Sequence, residues 1–155
     1  MNLFYNQPSP LATRTASVTY SPSNEQAAWF AIAYTAATIH GYISEEAREA
    51  LCKMLASKQM YRGHELVDYF KEVWKVRDQV SPKEIIRQAA KRINQEHAPT
   101  LFCIITDILL TKGYLTKQEE NLLDYISVML SLDTKTTNTI LEVLLTKNKG
   151  NYIEW

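Results

Sequence analysis

Residues 27–44 read AAWFAIAYTAATIHGYIS, and residues 99–116 read PTLFCIITDILLTKGYLT. Each stretch is a run apolar on nearly every side that leads into a Gly-Tyr-apolar-hydroxyl corner. A surface helix keeps one polar face, so a helix without one belongs at the centre of a bundle. Gly41 and Gly113 can take the positive φ that lets a chain leave a helix and turn. Ser44 and Thr116 are N-cap residues for whatever helix follows. Gly41 and Gly113, Tyr42 and Tyr114, Ile43 and Leu115, Ser44 and Thr116, and further on Leu51 and Leu123, all stand 72 residues apart. Such a fixed offset reads as an internal duplication. The fold expected is all-α: a single bundle of about seven helices in two similar halves, with the two apolar rods packed together.

Working outward, Ser23 and Gln26 have capping-box spacing, which starts the first rod near residue 24 and carries it to about 39. Glu45 and Glu46 suit the positive end of a second helix (about 45–59), whose Ala47, Ala50, Leu51, Met54 and Leu55 make one apolar stripe. Leu66, Val67, Phe70, Val73 and Trp74 give the stripe of a third (about 62–78), with Tyr69, Lys71 and Glu72 off its centre. Ser81, Pro82 and Glu84 signal the start of a fourth (about 82–95), burying Ile85, Ile86, Ala89, Ala90 and Ile93. The second rod is the fifth helix (about 99–111). Thr116 with Glu119 forms a capping box for the sixth (about 117–131), built on Leu122, Leu123, Ile126, Met129 and Leu130. Asp133 caps a seventh (about 134–147) carrying Ile140, Leu141, Leu144 and Leu145. Residues 1–23, with Pro8, Pro10 and Pro22, read as an irregular arm, with Leu3, Phe4 and Tyr5 able to dock on something apolar. Residues 148–155 form a frayed or docked tail. The domain proper is 24–147.

Composition agrees with helices and narrows the partners. The chain has 155 residues, with 4 Gly and 5 Pro, well under the usual combined share of roughly 12%, which disfavours a turn-dense β fold. Seventeen basic residues balance 17 acidic ones at a pI near 6.8, giving no overall pull toward nucleic acid or anionic lipid. Lys71, Lys75, Arg77, Lys83, Arg87, Lys91 and Arg92, interleaved with Tyr69 and Trp74, are diluted by Glu72, Asp78, Glu84 and Glu96 and read as a solvated face. Neither apolar rod reaches the roughly 18 residues that span a bilayer, and residues 1–13 lack the pattern of a secretory signal. Cys52 and Cys103, each inside a helical pattern without CxxC spacing, read as reduced, buried thiols of a cytoplasmic protein. His40, His64 and His97 are too scattered for a zinc site. No nucleophile elbow, phosphate loop, dinucleotide fingerprint or HExxH helix is present.

The repeated corners resemble the turns of the tellurite-resistance TerB-like family, whose duplicated, seven-helical members carry Asp-Gly-x-apolar-Ser/Thr-x-x-Glu between helices. The resemblance covers about residues 24–147. It implies a cytoplasmic bacterial module of the stress response, without enzymatic activity. Two departures from the family pattern bear on chemistry. His40 and Lys112 stand where the family has Asp, and Ala47 stands where the second corner keeps Glu119. Hard divalent cations need several oxygen ligands, so metal binding at these corners is expected to be weak or lost.

The candidate binding residues are therefore His40, Tyr42, Lys112, Tyr114, Asp107 and Glu119, with no cofactor. His40 and Lys112 could make a small cationic patch, and the two tyrosines a matched pair that meets a partner or folds back on its own helix ends. Asp107 lies within an apolar helix, where a carboxylate must be paired, hydrogen-bonded or exposed on a strip with Thr100, Thr111 and Thr106. The function expected is binding of a protein partner or a small species, with a second copy of the chain among the options, and no membrane or nucleic acid. The competing reading is a metal-dependent sensor or enzyme using Asp107, Glu119, Glu120 and Asp124.

Overall fold

In the computed structural model, residues 18–151 are described, and among them there are seven α-helices and no strand. They are α1 (Glu25–Ala37), α2 (Glu45–Ala56), α3 (Leu66–Trp74), α4 (Pro82–Ala90), α5 (Ala98–Leu109), α6 (Lys117–Met129) and α7 (Thr134–Lys147). The two apolar rods are the hubs. Helix α1 packs against α2, α3, α4 and α5, and α5 packs against α1, α2, α6 and α7. Alanines at 27, 28, 31, 33 and 36 are buried, and small side chains let α1 be surrounded closely. Helix α5 supplies the bulk instead, through buried Leu101, Phe102, Ile105 and Ile108. Each such side chain contributes about 1.5–3 kcal/mol by leaving water.

The caps at Ser44, Ser81, Thr116 and Asp133 form as expected, each side-chain oxygen accepting the backbone N–H three residues on. The start of α1 differs. Asn24, not Ser23, is the N-cap, its side chain accepting from Ala27 N at 2.7 Å. Ser23 is drawn away by Glu72, whose carboxylate accepts from both its N–H and its hydroxyl at 2.9 Å.

Helix α3 is shorter than its periodicity suggests and is rotated. Tyr69 is buried, whereas Val67 and Trp74 are about half exposed. The rotation is stabilised by polar partners inside, since the Tyr69 hydroxyl meets Asn24 Nδ2 at 3.2 Å and His64 Nδ1. Tyr69 is thus absent from the basic face, where Arg77 stacks over Trp74 at 4.0 Å and Arg87 is held by Glu84 at 2.8 Å. In α7, Leu145 is exposed rather than buried, because only Ile140 and Leu141 of its apolar set pack against the core.

Neither cysteine is buried. Cys52 is exposed on the outer face of α2 and Cys103 is half-buried. Both are free thiols, and burial together with nearby Asp107 pushes the Cys103 thiol above its ordinary value.

At the chain's ends, Tyr20 and Pro22 of the described part of the arm are buried, and Thr19 to Ser21 lie beside Lys71, Glu72 and Lys75 of the α3 region. Asn148 is buried and bonded to Asp107. The segment is docked up to residue 151. Leu3, Phe4 and Tyr5 lie outside the described residues. No helix among the described residues is long and apolar enough to cross a membrane.

Candidate binding cleft

The two Gly-Tyr corners converge. Helix α1 ends where the Thr38 hydroxyl donates back to Tyr34 O at 2.8 Å, and Gly41, at φ 90°, turns the chain toward Ser44. Helix α5 runs into a 3-10 turn (Leu110–Lys112), and Gly113, also at φ 90°, turns the chain toward Thr116. Both glycines hold a left-handed conformation that other residues adopt only with strain.

Between these corners lies a cleft of about 540 Å³. Buried Ala47, Ile108 and Leu109 with half-buried Ala37 form its base, and Tyr42 (72% exposed) and Tyr114 (52% exposed) stand at its mouth. His40, Ser44, Glu46, Thr111, Lys112, Thr116, Glu119 and Asn151 complete the walls.

One side of the cleft is built around a buried carboxylate. Glu119 is 3% exposed, and it is held from three directions. Its Oε1 accepts from Thr116 N at 2.9 Å, closing the capping box with Thr116 Oγ1, which accepts from Glu119 N at 3.2 Å. Lys112 Nζ sits 2.7 Å from the same carboxylate and also donates to Leu109 O at 2.7 Å. His40 reaches across from the first corner, its Nε2 lying 3.3 Å from Thr116 Oγ1 and 3.9 Å from Glu119 Oε2. A buried carboxylate is tolerated only when compensated in this way. Lys112 also lies 5.3 Å from the centre of the Tyr114 ring, within cation–π range.

Five of the six candidate residues therefore share this cleft: His40, Tyr42, Lys112, Tyr114 and Glu119. The cationic patch expected of His40 and Lys112 does not form, because the Lys112 ammonium is neutralised by Glu119.

Asp107 is elsewhere. Its carboxylate accepts from Lys147 Nζ at 2.6 Å and Asn148 Nδ2 at 2.8 Å, fastening the end of α7 to the last turn of α5. It is paired, as its apolar setting demands; of the threonines named beside it, Thr106 is fully buried, whereas Thr100 is exposed and Thr111 half-buried. The other acids of the competing reading are not gathered with it: Glu120 pairs with Lys117 at 3.6 Å, and Asp124 is exposed. Among the described residues, no three His, Cys, Asp or Glu side chains gather as a metal ion would need.

Two parts of the cleft have no local signal in the sequence. Asn151 reaches it from the far end of the chain, and the Lys112–Glu119 pair is visible only once the corner is folded. The two members stand seven positions apart, Lys112 closing a 3-10 turn and the left-handed Gly113 following it before α6 begins. A third constellation lies away from the cleft. Glu25, at the start of α1, accepts from the indole of Trp29 at 3.3 Å and the backbone of Asn94 at 3.1 Å, and its carboxylate lies 2.7 Å from the His97 ring. Burial alone would raise the Glu25 carboxyl, but the contacts with His97, Asn94 and Trp29 outweigh it and hold it below the ordinary glutamate value. This group ties α1 to the turn before α5.

Comparison with known proteins finds no matching family model, no matching characterised protein and no matching solved structure.

Proposed function

We propose that this chain is a non-catalytic helical binding module of the TerB-like type, serving a bacterial stress response in the cytoplasm and receiving a protein partner's segment in the cleft between its two Gly-Tyr corners. One observation carries the reading: residues 72 positions apart in sequence, Tyr42 and Tyr114, stand at the mouth of one cleft with an apolar base. Tyrosine suits such a place because its ring covers apolar surface while its hydroxyl stays wet, and few rotamers are lost on binding. A shallow apolar base with a few convergent polar groups is how a fold takes a side chain from another molecule. The cellular role and location rest on the resemblance of the corners.

The same geometry disfavours a resident divalent cation. Glu119 is the one buried carboxylate of the cleft, and an ammonium already lies against it. A cation would have to displace Lys112 and then find further oxygen ligands.

The test of binding is a double substitution, Tyr42→Ser with Tyr114→Ser, at two exposed positions that leave the core intact. The wild type is expected to retain a partner from the host's extract that the double variant loses, with both proteins melting alike. Equal retention by both would overturn the reading. The test of the metal statement is a titration with Mg²⁺, Ca²⁺, Mn²⁺ or Zn²⁺ followed by melting. A cation at a hundred times its Kd would add about 2.7 kcal/mol, or roughly 5–10 °C in a chain of this size, and no such rise is expected.

A further inference from the structure

The second corner carries a lysine of its own in the cleft: the Lys112 ammonium lies 2.7 Å from Glu119 and 5.3 Å from the centre of the Tyr114 ring. The first corner repeats the tyrosine, as Tyr42, and adds a carboxylate, Glu46, but has no lysine. Position 40 is instead a histidine, and it leans on Thr116 and Glu119 of the other side. We infer that the segment received in the cleft presents a lysine or arginine side chain to the first corner, its stem on the apolar base and its charged head against the Glu46 carboxylate and the Tyr42 ring. The inference rests on the binding-module reading and adds the chemistry of the segment.

The first support is charge. Glu46, Glu119 and Lys112 are the charged groups that line the cleft, with His40 when protonated. Lys112 and Glu119 cancel each other. Glu46 is exposed and forms no ion pair with any described residue. With His40 neutral, what remains is one uncompensated negative charge, which attracts a basic segment and repels an acidic one. Glu45 and Glu46 both suit the positive end of α2, yet only Glu46 also faces the cleft.

The second support is shape. Lysine and arginine lay an apolar stem along apolar surface while the head stays at the rim. The cleft offers those surfaces in that order, with Ala37, Ala47, Ile108 and Leu109 at the base and a carboxylate and tyrosine rings above them. A tyrosine face adds to the attraction for the cation. Lys112 shows the same combination at work within the chain, since a carboxylate and a tyrosine hold one long basic side chain in this very cleft.

The experiment titrates the full ¹⁵N-labelled chain with capped pentapeptides, Gly-Ser-Xaa-Ser-Gly, that carry lysine, arginine, norleucine or glutamate at the centre. Norleucine keeps the stem and drops the charge. The lysine and arginine peptides are expected to shift the amide signals of Gly41 to Ala47, with the norleucine peptide binding about fivefold more weakly and the glutamate peptide not at all. Glu46→Gln should remove most of that preference, and Tyr42→Leu, which keeps apolar area but no ring, part of it. Glu142→Gln makes the same change in net charge on α7 and should leave the preference intact. Equal binding of the lysine and norleucine peptides, a preference untouched by Glu46→Gln, or shifts centred outside the cleft overturns the inference. So does a spectrum that none of the peptides moves. Spermidine binding as tightly as the lysine peptide overturns it too, since the ligand would then be a free polyamine rather than a protein segment. The two readings fail separately: a partner retained through Tyr42 and Tyr114 without any preference for lysine or arginine leaves the module standing and removes only its basic ligand.

Discussion

The first and second Gly-Tyr corners share a backbone and differ in what stabilises them. Gly41 and Gly113 have the same φ of 90°, and Ser44 and Thr116 cap the helices that follow. The second corner adds a reciprocal capping box and a buried carboxylate clamped by Lys112. The first has Ala47 in the place of Glu119, and its His40 turns away to lean on the second corner's Thr116 and Glu119. Thr116, Glu119 and Lys112 bond to one another within the second corner, so it is an internally fixed wall. The first corner has the same kind of backbone turn, with the Thr38 hydroxyl bonded to Tyr34 O, but beyond that only the Ser44 cap and what His40 borrows from the other side. A cleft between a fixed wall and a lightly held one can adjust to an occupant without unfolding, since local opening follows the regions with the fewest internal contacts.

The largest expected effect comes from removing the feature that separates the corners. Glu119→Ala deletes the acceptor for Thr116 N and leaves the Lys112 ammonium without its carboxylate. Breaking a fully buried pair costs about 3–5 kcal/mol. Lys112 is about one third exposed and can turn to water, so a loss of roughly 2–3 kcal/mol is expected, read from the denaturant midpoint at unchanged slope. Glu119→Gln, which keeps the hydrogen bond to Thr116 N, should lose less. A Glu119→Ala variant as stable as the wild type would erase the difference between the corners.

The apolar rods, the Gly-Tyr corners and most caps were legible in the sequence because each is a local feature. A run without a polar face, a glycine before a hydroxyl, or a Thr-x-x-Glu pattern carries its own physical reason within a few residues. What was hidden depends on contacts between distant segments. Ser23 had the spacing of a cap, yet Glu72, 49 residues on, holds it elsewhere and leaves the cap to Asn24. The apolar set of α3 fits more than one rotation, and the contacts of the Tyr69 hydroxyl with Asn24 and His64 select the one that buries it. In the cleft, His40, Tyr42, Lys112 and Tyr114 could be named from the repeat, and Glu119 from its capping-box spacing and the family pattern. The neutralisation of Lys112, the position of Asn151 and the fastening of Asp107 to the end of α7 required the folded chain.

The next effects in size are those the two corners should share. No atom lies within 4 Å of a Cβ added at Gly41, so Gly41→Ala meets no clash, and its cost is that of the left-handed backbone alone, about 1–2 kcal/mol. Gly113→Ala, at the same φ, should cost a similar amount if the backbone term dominates both. Gly41→Asn should recover part of the loss, because asparagine tolerates this conformation better than alanine. A much larger loss at position 113 would show that the clamp around Glu119 depends on that turn, sharpening the contrast.

The smallest effect distinguishes the caps. Ser44→Ala removes one acceptor at the start of α2, and a lost cap costs typically about 1 kcal/mol. Thr116→Ala removes the matching acceptor at the start of α6, while Glu119 still accepts from the backbone N–H of residue 116. Half of the capping box therefore survives, held in place by Lys112. If the second corner is the better fixed one, Thr116→Ala should cost less than Ser44→Ala, even though it sits in the more elaborate motif. Equilibrium unfolding of the two single variants side by side measures this, and a larger loss at Thr116 would show that the hydroxyl, rather than the clamped carboxylate, holds that wall of the cleft.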